Sequence, residues 1–82
     1  MFGKSKLKLT GRAGLIYKKD GRTMLIDSEM LGSGEYDMVI YERSMKAWQA
    51  PHGGEVITEE ERHQIKEDIQ AHMKRCTIDW QS

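Results

Sequence analysis

The sequence predicts an α+β domain: an antiparallel sheet of about five strands packed against one long C-terminal helix, followed by a short final strand. Three observations carry this prediction. The first two thirds of the chain alternate apolar and polar residues between glycine-rich turns. Residues 58–76 change to a helical period behind a capping signature, and 77–80 alternate again. With 82 residues and no linker or repeat, the chain reads as one domain over 1–82.

Lys4-Ser5-Lys6-Leu7-Lys8-Leu9-Thr10 opens the sheet, with Leu7 and Leu9 on one face and Lys6 and Lys8 on the other. Lysines on the outer face discourage pairing with a foreign strand. Gly11 to Gly14 breaks that run. Leu15 to Lys19 then leads into Asp20-Gly21, a pair suited to the two positive φ angles of a type I′ turn, and Arg22 to Asp27 returns as the next strand. Gly32-Ser33-Gly34 marks a second turn. Tyr36 to Tyr41 follows as a strand, with Met38 and Ile40 on one face and Asp37, Val39 and Tyr41 on the other. Residues 43–49 read either as a short strand ending at Trp48 or as a helical turn, and Pro51 with Gly53-Gly54 closes that region as a loop.

The helix has the clearest signature. Thr58 and Glu61 form a capping box, in which each side chain satisfies the other's backbone N–H. Glu59, Glu60 and Glu61 lie at the positive end of the helix dipole, and Lys74 and Arg75 are expected at the negative end. Ile65, Ile69, Met73 and Cys76 form one apolar stripe, which the sheet must cover. Thr77-Ile78-Asp79-Trp80 then rejoins the sheet, burying Ile78.

Composition excludes several classes. Hydrophobic content of 38% and charged content of 32% are too apolar for a disordered chain and too polar for a membrane protein. The longest apolar runs are three residues, against about 20 for a membrane span. The first six residues carry charge without a following apolar stretch, so they do not read as a secretory signal. A single cysteine, Cys76, allows no internal disulfide and points to a reducing, cytoplasmic setting.

Charge totals zero but is unevenly placed. Residues 1–19 hold six basic side chains (Lys4, Lys6, Lys8, Arg12, Lys18, Lys19) and no acid, whereas 55–68 hold six acids against Arg62 and Lys66. Two solvated faces explain this. So does an acidic surface offered to a basic protein partner.

No constellation for catalysis or cofactor binding stands out, and the chain is read as a non-enzyme without cofactor or metal. His72 and Cys76, four apart, supply two ligands where zinc needs three or four. As a nucleophile pair they face the helix dipole the wrong way for a thiolate. His63 is expected to face solvent. The glycine turns lack phosphate-loop spacing. Lys4, Lys6 and Lys8 have no aromatic among them, which together with neutrality argues against nucleic-acid binding. The large polar-tipped aromatics default to the core. Trp48, beside Pro51 and a glycine-rich loop, is the best candidate for a surface anchor at a sheet end.

Tyr36-Asp37-Met38-Val39-Ile40-Tyr41, then Ser44, Trp48 and Pro51, then Ile57-Thr58-Glu59-Glu60-Glu61 and the helix with Ile65 and Ile69, resemble a family of small immunity proteins. These accompany bacterial polymorphic toxins and neutralise a cognate toxin domain by binding it. The resemblance covers the last 50 or so residues well and the N-terminal hairpin in general pattern. It implies a bacterial binding protein with a toxin partner and no catalytic site. Under that reading the partner-binding candidates are Trp48, Glu55, Glu59 and Glu60, suited to a basic toxin such as a nuclease. An adaptor module binding another bacterial protein stays open as the alternative. So does the choice between monomer and homodimer.

Overall fold

The computed structural model describes residues 5–11, 13–32 and 34–82, so expectations placed on 1–4, Arg12 or Ser33 lie outside it. The element order is β1 (Lys6–Leu9), β2 (Ala13–Lys19), β3 (Arg22–Met30), β4 (Met38–Tyr41), a 3-10 turn (Glu42–Ser44), α1 (Glu59–His72) and β5 (Ile78–Gln81). The five strands form one sheet in the order β1-β2-β3-β4-β5.

Local chemistry sets the first three strands. Asp20 (φ 53) and Gly21 (φ 77) both take the left-handed conformation of a type I′ turn, and Lys19 pairs with Arg22 across it. A bulge between Ala13 and Leu15 coincides with Gly14 at φ 91. Beyond the bulge, Leu15 and Tyr17 of β2 and Met24, Ile26 and Ser28 of β3 are buried on one face. On β1, Leu7 packs at the margin of the core while Leu9 is 44% exposed, because an edge strand has a neighbour on only one side.

The all-antiparallel expectation needs one correction. β1 to β4 form an antiparallel meander, but β5 runs parallel to β4. The reason is the helix itself: a crossover through α1 returns the chain to the end of the sheet where β4 began. Two contacts hold the start of that pairing. The Asp37 N–H donates to the Thr77 carbonyl at 2.8 Å, and the Thr77 N–H donates to Asp37 Oδ2 at 2.8 Å.

The capping box forms as expected. The Glu61 N–H donates to Thr58 Oγ1 at 3.1 Å, and the Thr58 N–H reaches Glu61 Oε1 at 3.4 Å. The far end differs. α1 stops at His72, so Lys74, Arg75 and Cys76 lie beyond it and not in its last turn. No glycine ends the helix. The Gln70 side-chain amide instead donates to the Met73 and Cys76 carbonyls, giving this turn the partners the helix no longer supplies.

One core results. Seven sheet residues (Leu15, Tyr17, Met24, Ile26, Met38, Ile40, Ile78) meet Ile65 and Ile69 of α1 and Met45, Trp48 and Ile57 of the intervening segment. Met73, Cys76 and Trp80 pack at its margin. Burying a large aliphatic side chain contributes roughly 1.5–3 kcal/mol, so Ile65 and Ile69 anchor α1 more strongly than helix propensity does. Trp48 is 7% exposed and stacks on Tyr17, with ring centroids 6.3 Å apart. It is therefore a core residue, correcting its expected place as an exposed anchor. Tyr36, given to the core by default, is 40% exposed. Val39, read on the face opposite Met38 and Ile40, is buried as well. It is opposed there by Glu29 on one side and Asp79 on the other.

Candidate protein interface

The helix and the 45–57 segment cover one face of the sheet, and the two surfaces left for a partner differ in character. The first lies on the covered side at the β2–β3 hairpin end. An open cleft of about 300 Å³ is lined there by Lys19, Arg22, Trp48, Glu55, Glu61 and Gln64, among others. Arg22 Nε donates to Glu55 Oε1 at 2.7 Å, and His52 Nδ1 lies 2.8 Å from Glu55 Oε2. The Arg22 hydrogen bond, followed by that of His52, holds the Glu55 carboxyl below its ordinary range. The same contact with Glu55 raises the Arg22 guanidinium.

Two of the four sequence candidates, Trp48 and Glu55, thus meet in one cleft. Trp48 is almost wholly buried, so little of its ring faces the cleft. Glu55 is paired with Arg22, which reduces the charge it presents. Glu59 and Glu60 are exposed in the first turn of α1, and among the described residues neither forms an ion pair. Glu59 lines a neighbouring depression with Glu42, Arg62, His63 and Lys66, where Lys66 Nζ lies 3.1 Å from Glu42 Oε1. The acidic surface read from residues 55–68 is therefore interleaved with bases, and Glu59 and Glu60 are its freest carboxylates.

His72 and Cys76 are not brought together as a ligand pair. His72 Nε2 lies 2.8 Å from Ser5 Oγ, whereas Cys76 packs against the core. Among the described residues, no group of three or more His, Cys, Asp or Glu could hold a metal ion. The Ser5–His72 contact, between residues 67 apart, was not legible in the sequence. Asp68 stands nearby, accepting from the Tyr17 hydroxyl at 2.6 Å. A nucleophilic triad needs the imidazole between hydroxyl and carboxylate. Here His72 contacts the Ser5 hydroxyl, and Asp68 accepts from Tyr17 instead of from the imidazole. The arrangement ties the start of β1 to the end of α1.

The second surface is the other face of the sheet. Lys6, Lys8 and Lys18 stand exposed at its β1–β2 side and Asp27 and Glu29 at its β3 side, with half-buried Ile16 and Leu25 (50% exposed) between them. Sequence reading placed Lys6 and Lys8 on an outer face. It did not place them beside Leu25, because that adjacency follows from strand register.

The family model for immunity protein 74 matches residues 7–80, spanning β1 to nearly the end of β5. The chain belongs to this immunity protein family. No curated protein and no solved structure matches it. Membership of the immunity protein 74 family agrees with the resemblance read from residues 36–69 and extends it to the N-terminal hairpin. No helix among the described residues is long and apolar enough to cross a membrane.

Proposed function

We propose that this immunity protein 74 family member neutralises a cognate bacterial toxin domain by binding it directly in the cytosol, with no catalytic step of its own. The observation that carries this reading is the extent of the family match, which takes in the sheet and the helix together. A rigid sheet–helix unit suits an inhibitor, which loses little conformational entropy when it docks. The half-buried free thiol of Cys76 suits a reducing compartment.

For the toxin-facing surface we propose the start of α1 with the adjoining cleft: Glu59 and Glu60 as exposed carboxylates, with Glu55 and the small exposed part of Trp48 beside them. A basic toxin domain would complement it, and the charges would act chiefly on the rate of encounter.

The test is co-expression with a candidate toxin domain, sought in the genes that neighbour this chain's own. Rescue of growth and co-purification of the pair support the proposal, and unrelieved toxicity overturns it. Glu59→Lys with Glu60→Lys is expected to slow association and reduce its salt sensitivity. Unchanged affinity and rate would remove this surface from the proposal.

A further inference from the structure

We infer that the open face of the sheet is a docking surface for a second copy of this chain, joined face to face about a two-fold axis. The inference does not depend on the toxin-binding proposal, which uses the opposite side of the sheet.

The face has three zones, fixed by strand register. Lys6 lies directly opposite Lys18, and Lys8 opposite Ile16, which in turn lies opposite Leu25. The basic end therefore contains a cross-strand pair of like charges, an arrangement that costs stability when nothing neutralises it. Asp27 and Glu29, two apart on β3, share the same face and make the acidic end. Among the described residues none of these five side chains forms an ion pair. Between the two ends lies the adjacent pair Ile16 and Leu25.

Each end is the complement of the other, which is what an isologous interface requires. Consider a two-fold axis lying in the plane of the face, perpendicular to the line from the lysines to the carboxylates. Rotation about it sets each copy's lysines over the partner's carboxylates and brings the two apolar centres together. A polyanion would meet the lysines but be repelled by Asp27 and Glu29, so the pattern favours a second copy over nucleic acid. The face spans four strand spacings, about 19 Å. That is at the small end for a stable interface, so association of micromolar order is expected.

Analytical ultracentrifugation of the full chain across the micromolar range tests this. The expected result is a mass that rises with concentration from 9.5 kDa toward twice that value and falls again with added salt. Leu25→Glu is expected to weaken association by at least about tenfold. A Lys8→Glu, Lys18→Glu variant and an Asp27→Lys, Glu29→Lys variant should each be monomeric alone. Mixed together, they should form a heterodimer, because one face is then predominantly acidic, with Lys6 left, and the other predominantly basic. A wild-type chain that stays monomeric at the highest concentration overturns the inference. So does dimerisation that Leu25→Glu leaves intact, or a variant mixture that does not associate. Toxin neutralisation is read separately by growth, so failure of either proposal leaves the other standing.

Discussion

The Tyr17 hydroxyl donates to Asp68 Oδ2 at 2.6 Å, joining the middle of β2 to α1 across the core. Tyr17 is fully buried and its phenol is raised well above the ordinary range, first by that burial and then by its bond to Asp68. Partial burial pushes the Asp68 carboxyl up, but the nearby Ser5 hydroxyl and the hydrogen bond from Tyr17, together with His72 and Lys19, outweigh it and leave the carboxyl lowered. Tyr17→Phe is expected to cost about 1–2 kcal/mol, toward the lower end for a bond to a charged group because Asp68 keeps some contact with water. The shift in the urea midpoint measures it.

The same pair fixes a pH dependence. Asp68 is lowered in the folded state, so its contribution is present above roughly pH 4 and is lost as pH falls through the lowered value. Tyr17 is raised, so its contribution is present below roughly pH 10 and is lost as pH rises beyond that. The stability difference between wild type and Tyr17→Phe should therefore form a plateau that narrows at both ends. A difference independent of pH would show that the bond does not couple to either proton.

Gly14 and Gly21 both have positive φ but should respond differently to alanine. At Gly21 a Cβ meets open space, so Gly21→Ala carries only the conformational cost of about 1 kcal/mol. At Gly14 a Cβ would sit 2.6 Å from Thr10 Oγ1, whose hydroxyl donates to the Ala13 carbonyl. Gly14→Ala is expected to cost more than Gly21→Ala. Adding Thr10→Ala should recover the steric part and leave the conformational part, a coupling that a double-mutant cycle reads directly.

Thr58→Ala removes the side chain that caps α1 and should cost about 1 kcal/mol in chemical denaturation. Glu61→Ala should cost less, since its reciprocal bond is the longer one at 3.4 Å. An equal loss in the two variants would mean that dipole and capping contributions are not separable here.

Ile69→Ala should cost about 2–5 kcal/mol, because Ile69 is fully buried and a cavity would remain between helix and sheet. Val56→Ala, one residue before buried Ile57 but itself 82% exposed, should be close to neutral. Thermal unfolding of the two variants distinguishes them.

What the sequence determined by itself is what depends on near neighbours along the chain. The Asp20-Gly21 turn, the Thr58–Glu61 box and the burial of Ile65 and Ile69 rest on backbone sterics, local hydrogen bonds and helical spacing, all of which act within a few residues. The resemblance to an immunity family was also present in the order of aromatic and aliphatic residues. Only the tertiary structure decided the rest. The parallel pairing of β5 depends on where the helix returns the chain and on Asp37 meeting Thr77. Trp48 went into the core because Tyr17 offered it a face. Glu55 was drawn into a pair with Arg22, and the lysines of β1 and β2 were set on one face with Leu25 and Asp27. These are contacts between residues distant in sequence. Their energy is gained only once the sheet has formed, so no local pattern announces them.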